Sequence, residues 1–290
     1  MSSEHLFSSP RDVIDISDCY FYHVMDLPGY GEVGNEWDLR GGEEAYLGGV
    51  SFQGKRVLEL GTASGALCHY MEGKGADVIG FDVPPERPGD FVPFAGLDLS
   101  ACRVESINGY ERVKNGWWFA HRLFGSRAKV VYGNIYEIPE EIGPVDIATF
   151  GLILVHLRDP FQALYSALRL TREVVVVTEC SGHGMSGPPE SPSGLRRYLK
   201  RLLIKTGMIS PAWHPPGGMY FLPNPQGTGL GAEKNLGVEI SSWWSLSPDV
   251  ICRFLGVLGF GDQVVTEHFQ TFQGKRVPMY TVVGKRTRKI

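Results

Sequence analysis

No stretch of this 290-residue chain has the unbroken apolar length that crosses a bilayer, for which about 20 residues are needed. The longest apolar run, residues 147–157, already contains His156 and fits a buried strand with its exit. The start, Met1-Ser-Ser-Glu-His5, has neither a basic end nor an apolar centre, so no secretory leader is expected. Metal-ligand spacing is missing as well. The five cysteines (Cys19, Cys68, Cys102, Cys180 and Cys252) are scattered and odd in number, which excludes a disulfide framework and fits a reduced, cytoplasmic protein. Charge is nearly balanced, 28 basic against 32 acidic residues for a net −4, so no global electrostatic case for nucleic acid exists. What is abundant is glycine, 37 residues, in a chain 43% hydrophobic and 21% charged. That composition fits a well-cored protein of one large domain, or one domain with additions.

The glycines matter most between residues 56 and 83. Arg56-Val-Leu-Glu-Leu-Gly-Thr-Ala-Ser-Gly65 reads as a strand broken by a tight turn, because glycine tolerates positive φ and lets a ligand approach the backbone. A helix follows from about Gly65 to Lys74, with Leu67, Tyr70 and Met71 at helical spacing. A second strand, Val78 to Phe81, ends in Asp82, where a nucleotide-binding fold places the carboxylate that holds ribose hydroxyls. A dinucleotide site would want G-x-G-x-x-G; this chain has Gly61, Ala63 and Ala66 in those places. Glu59 adds negative charge where a pyrophosphate would sit, so the turn suits a cofactor with a positive end. The alternative is a strand–turn–helix without any ligand.

Around this unit the chain has a consistent rhythm. Residues 1–50 carry an aromatic cluster, Tyr20-Phe-Tyr-His23, and a turn-rich stretch with Tyr30, Trp37 and Arg40. It is either a loop packed on the core or a lid whose Arg40 is available to a carboxylate. A short helix, Glu43 to Leu47, leads into the first strand. A Pro-rich loop over 83–102 precedes one or two helices over 103–124, which Asn108-Gly109 and Asn115-Gly116 threaten to break. Lys129 to Ile135 is the third strand, residues 144–151 the fourth, and Glu173-Val-Val-Val-Val-Thr-Glu179 a fifth, buried on both faces. Residues 181–246 form an insert with an amphipathic basic helix over 195–205 and a Pro/Gly-rich stretch with Trp213, His214, Tyr220 and Phe221. Insertions of this length in a compact domain are often substrate lids; the basic face over 196–205 is either solvated or faces an anion. Ser247-Pro248 caps a last helix, then two strands joined at Gln273-Gly274 lead to a basic tail, 285–289, expected to be solvated.

Glu59-Leu-Gly-Thr-Ala-Ser-Gly65 resembles the first motif of class I S-adenosylmethionine (SAM) methyltransferases, with Ala63 where that family usually has glycine. More narrowly, Asp38-Leu-Arg40, Lys114-Asn-Gly-Trp-Trp-Phe-Ala-His121, Gly151-Leu-Ile-Leu-Val-His156-Leu-Arg-Asp159-Pro160 and Trp243-Trp244-Ser-Leu-Ser-Pro248 resemble the bacterial family of the tRNA wobble-uridine carboxymethyltransferase and its relatives. The resemblance implies an α/β fold: a Rossmann-like, seven-stranded, mostly parallel sheet with a terminal β-hairpin whose reversed last strand inserts beside the fifth. To this are added an N-terminal lid or cap (1–50) and a substrate-lid insert at about 181–246 within the 51–290 methyltransferase domain. It implies S-adenosyl-L-methionine as cofactor, or a carboxylated form of it, held by Glu59, Gly61, Thr62, Ala63, Gly65, Asp82, Asn134 at the adenine amine, Ile135, Gly151 and Arg40.

Methyl transfer depends chiefly on proximity and alignment, and a base is required only if the acceptor must lose a proton. His156, just past the fourth strand, is the best-placed base; alternatively it binds a backbone group. Glu179 at the fifth strand's tip is the second candidate, ahead of His183, His214 and His23. The expected function is methyl transfer from SAM to a small-molecule acceptor such as a natural-product or sugar-type intermediate. The alternatives are a tRNA-modifying methyl- or carboxymethyltransferase, a non-catalytic SAM-binding module, and a dinucleotide oxidoreductase. Neither a metal nor a membrane is expected as a partner.

Overall fold

Alternation along the first strand sets the layering. In β4 (Arg56–Leu60), Leu58 and Leu60 face one apolar cluster while Val57 faces another, as a period of two requires. The side of Leu58 is covered by helices α4 (Pro160–Leu168) and α5 (Pro248–Val257), through Leu164, Ile251 and Leu255. The side of Val57 is covered by α2 (Ala66–Gly73), α3 (Ser100–Phe124) and the chain around α1 (Glu43–Tyr46), through Met71, Trp117 and Tyr46. A computed structural model describes residues 6–84, 86–87, 89–181, 218–223 and 240–290. The basic helix expected over 195–205, and the stretch with His183, Trp213 and His214, lie outside the described residues.

The main sheet has eight strands among those residues, in the order β3–β11–β12–β8–β7–β4–β5–β6. β4, β5 (Asp77–Asp82), β6 (Lys129–Tyr132), β7 (Val145–Gly151) and β8 (Thr171–Cys180) are mutually parallel. β12 (Lys275–Lys285) runs against β8, and β11 (Asp262–Phe272) against β12. The expected Rossmann-like α/β sheet is present, with the reversed last strand beside the fifth. From β4 the chain winds outward through β5 and β6, then returns to place β7 on the other side of β4. The switch point of this sheet therefore lies between β4 and β7, where ligands of open α/β folds bind.

The eighth strand is a difference. β3 (Trp37–Asp38) comes from the N-terminal segment and pairs with the end of β11, Phe272 opposite Trp37. The stretch before it, read from sequence as loop, holds a small hairpin, β1 (Met25–Leu27) with β2 (Gly31–Val33). A second small pair, β9 (Met219–Phe221) with β10 (Trp244–Leu246), ties the middle of the insert to its C-terminal end.

Two further expectations are corrected. α3 is one unbroken helix of 25 residues despite its two Asn-Gly pairs. Gly116 is there for contact: a Cβ on it would stand 2.7 Å from the Tyr20 carbonyl oxygen, and Asn115 Nδ2 donates to the Asp18 carbonyl on the same strap. The basic tail is not simply solvated either. Arg286 Nε donates to the Thr171 carbonyl at 2.8 Å, and its guanidinium lies 4.2 Å from the Phe260 ring centre. No helix among the described residues is long and apolar enough to cross a membrane.

Candidate active site

The turn after β4 is drawn onto the tip of β5. Gly61 N–H donates to the Phe81 carbonyl at 2.8 Å, and Ala63 N–H donates to Asp82 Oδ2 at 2.8 Å. This turn needs left-handed backbone at Gly61 (φ 77°), Ala63 (φ 47°) and Gly65 (φ 87°). At Gly65 a side chain would also collide, since a Cβ there would stand 2.8 Å from Trp117 Cδ1. Ala63 takes the same region at a cost of roughly 1–2 kcal/mol, which accounts physically for the preference for glycine at that place.

Glu59 lies on the Val57 face of β4, 4% exposed. Thr62 Oγ1 donates to its Oε2 at 2.7 Å, and Trp117 Nε1 donates to Thr62 Oγ1 at 3.3 Å. Burial pushes the Glu59 carboxyl up to about 8, against the bond from Thr62, and the nearby Asp82 charge adds to the rise. Asp82 stays partly accessible at the tip of β5. Its two oxygens accept from the backbone of Ala63 and Val83, at 2.8 and 2.7 Å. Burial raises its pKa, while those two bonds and the ammonium of Lys114 lower it.

A cavity opens at the switch point between β4 and β7. Its walls include Glu59, Leu60 and Gly61 from β4 and its turn, Thr149, Phe150 and Gly151 from β7, and Val176 and Thr178 from β8. The N-terminal segment adds His23, Tyr46 and Leu47. Two buried polar atoms on this wall, Thr149 Oγ1 and His23 Nδ1, have no hydrogen-bond partner. Burial pushes the His23 imidazole down to about 4, so it is neutral at pH 7. The cavity, at about 10 Å³ no roomier than one water molecule, is lined by a carboxyl group, two unfilled polar contacts and glycine backbone. Unpaired buried polar atoms cost stability until a partner arrives.

The sequence candidates divide. Glu59, Gly61 and Gly151 line the cavity together. Thr62 and Ala63 act one step back, by holding Glu59 and Asp82, and Gly65 lets Trp117 approach. Asn134 lies beyond the tip of β6, which is shorter than expected, and its Oδ1 accepts from the Tyr136 backbone at 3.3 Å, closing its own turn. Ile135 beside it packs on the core. Arg40 does not serve as expected. All its nitrogens are engaged by carboxylates of its own segment: Asp38, both oxygens of Asp26, and Glu32, at 2.8–3.0 Å.

Glu179, the second candidate base, is buried at the tip of β8. It is 4% exposed and its Oε1 accepts from the Leu154 backbone at 3.0 Å, capping the short turn Leu154–His156. Burial holds its pKa up at about 8. Its place is under the turn that carries His156. His156 donates from Nδ1 to the Ser241 carbonyl at 2.8 Å. A carbonyl can only accept, so Nδ1 carries a proton. Neither residue lines the cavity of Glu59.

Sequence reasoning missed Tyr46, Thr149 and the Trp117–Thr62–Glu59 relay. Thr149 had a usable signal, two residues before Gly151 on a strand. Trp117 had none, since a helix position 55 residues from Thr62 in sequence meets it only through the fold. No group of residues able to hold a metal occurs among the described residues.

No family model and no curated protein matches the chain. Solved structures resemble it at low identity. One is the Burkholderia thailandensis 1,6-didemethyltoxoflavin-N1-methyltransferase with bound 1,6-didemethyltoxoflavin and S-adenosylhomocysteine, at 13% identity and TM-score 0.47, covering 85% of this chain and 77% of that one. Another is the N-terminal domain of EvdMO1 with S-adenosylhomocysteine and D-fucose, at 15% and 0.44, covering 84% and 79%. A third is the Synechocystis magnesium protoporphyrin IX methyltransferase with S-adenosylhomocysteine, at 12% and 0.43, covering 81% and 76%. None of the three reaches a TM-score of 0.5, and the assignment of the site rests on its own residues.

Proposed function

We propose that this chain binds S-adenosyl-L-methionine across the β4–β5 crest and transfers its methyl group to a small-molecule acceptor. The observation that carries the reading is the pair of carboxylates, Glu59 and Asp82, flanking the Gly61–Gly65 turn. A pyrophosphate would meet the Asp82 charge and, at Glu59, a second carboxyl that could ionise only against it. A ligand with an ammonium at one end and a ribose diol at the other meets acceptors at both. Asp82 would take the ribose hydroxyls; Glu59, Thr149 and His23 would surround the amino-acid end; Gly61 and Gly151 let the backbone approach between them. Bound there, the cofactor supplies an electrophilic methyl on a sulfonium. The chain contributes alignment, worth up to ~7–11 kcal/mol when complete.

The N-terminal segment (1–50) is then a cap on the 51–290 domain, since His23, Tyr46 and Leu47 close the cavity. The insert at about 181–246 is the acceptor lid, its return held by Trp243 Nε1 donating to the Asp90 carbonyl at 2.7 Å and by Ser241 at His156. A natural-product or sugar-type acceptor with an O–H or N–H would deliver its proton to His156 Nε2. Calorimetry with SAM, S-adenosylhomocysteine, NAD and NADP tests the cofactor: heat with the first two and none with the others is expected, and the reverse sinks the reading. Retardation of bulk tRNA with steep salt dependence would move the acceptor from a small molecule to tRNA.

A further inference from the structure

Lys114 is a buried cation that the reading above does not use. It lies on α3 with its side chain 3% exposed, and its Nζ has no hydrogen-bond acceptor. Its closest carboxylate oxygen, Glu111 Oε1, is 3.8 Å away, and that atom also lacks a hydrogen-bond donor. The ammonium instead lies 5.3 Å from the ring centre of Tyr132 and 5.7 Å from that of Tyr110. Sheet register puts Tyr132 directly beside Asp82. A buried ammonium without a hydrogen-bond acceptor therefore stands behind the carboxylate at the tip of β5. Leaving a charge so poorly paired is destabilising, and a helix-borne Lys could be replaced there by Met or Leu at no loss of packing.

We propose that Lys114 is a positioning residue for the nucleoside site, its buried ammonium standing behind Asp82 as the countercharge with which that carboxylate accepts the hydroxyls of a bound ribose. The inference rests on the proposed cofactor reading. A carboxylate that protonates loses one acceptor, and one drawn partly out of water leans that way unless a cation stands by. The groups around the pair are few. Asp82 faces Glu59 from β4, Tyr132 from β6 and Lys114 from α3. Lys114 faces Glu111 on its own helix, Arg11 from the N-terminal segment and Glu86 from the loop after β5. Arg11 is already paired with Glu111 at 2.8 Å, which leaves Lys114 as the cation for Asp82.

The test compares wild type, Lys114→Met and Lys114→Arg, by calorimetric titration with S-adenosylhomocysteine across pH and by melting without ligand. For Lys114→Met the affinity at pH 7 should fall about tenfold or more, the scale of one charge-assisted contact. The acid limb of its affinity should move to higher pH, while the ligand-free melting temperature holds or rises. Lys114→Arg should restore both affinity and acid limb. Unchanged affinity with an unmoved acid limb overturns the inference. So does lost affinity with a lower melting temperature and an unmoved acid limb, which marks a packing role. A wild-type protein that binds no S-adenosylhomocysteine sinks the cofactor reading itself, and this inference with it.

Discussion

Glu59 and Glu179 each sit about 4% exposed with carboxyl groups held near pKa 8, against an ordinary value of about 4.5. Burial is the main cause for both. Between those two pH values the folded chain keeps protons that the unfolded chain releases, so stability falls as the pH rises through the window. Below about pH 6.5 the buried His23 and His69 imidazoles, both pushed down to about 4, act in the opposite sense, so the ligand-free melting temperature should decline from pH 7 to pH 8.5, and Glu179→Gln should flatten the slope; a melting temperature that climbs over this range contradicts both assignments. Ligand changes the account at Glu59 alone. An ammonium placed beside it favours the ionised form, so binding at pH 7 should release up to one proton. Titrations in buffers of different ionisation enthalpy read that release directly, and Glu59→Gln should abolish it. Asp82→Ala should weaken binding by about 1–3 kcal/mol, the range for a lost buried hydrogen-bond partner. Glu59 and Asp82 were legible in the sequence because strand, turn and strand stand in fixed local spacing. The carboxylate cluster around Arg40 was not legible: Asp26 and Glu32 reach it from the β1–β2 hairpin, whose pairing has little period-two pattern, and Asp38 from β3.

Helix α3 shows how an element can look breakable and hold. Its two glycines have opposite surroundings. Nothing lies within 4 Å of a Cβ added at Gly109, whereas one at Gly116 would meet the Tyr20 carbonyl at 2.7 Å. Helix propensity alone favours alanine at both by about 1 kcal/mol. Gly109→Ala should therefore stabilise by roughly 0.5–1 kcal/mol. Gly116→Ala should destabilise by about 1–3 kcal/mol, the usual cost of overpacking, because its neighbour is backbone and cannot rotate away. Paired thermal melts check the contrast, and equal shifts would mean that the strap does not lie against the helix. The sheet strands and α2, α4 and α5 were readable from periodicity and caps: Asp159 and Ser247 accept from Gln162 and Val250 as N-caps should. The continuity of α3 was not readable, since the sequence carries the glycine but not the strap that needs it. β3 escaped for the same reason, being two residues long and specified by its partner β11.

At the scale of the molecule, the N-terminal segment is built into the sheet that its cavity residues overhang. Trp37 is 2% exposed and packs on Phe272 with ring centres 4.8 Å apart. Its carbonyl accepts from Val24 at 2.7 Å, its N–H reaches the Tyr22 carbonyl, and the Glu36 carbonyl accepts from Gln273 in the turn of the terminal hairpin. His23 is thus held at the cavity by contacts that begin at the opposite end of the chain. A cap fixed this way cannot swing open as a hinged lid does; it melts with the sheet or not at all. Trp37→Ala should cost about 3–5 kcal/mol as a buried aromatic truncation. It should also weaken S-adenosylhomocysteine binding, because releasing β3 releases His23 from the wall. Amide exchange separates this from a loose flap. In the wild type, the amides of Val24 and Trp37 should be protected nearly as well as those of β12, whereas in Trp37→Ala they should exchange first while β4 and β7 stay protected. Fast exchange at Val24 and Trp37 in the wild type would mean that the segment opens on its own, and the cavity with it.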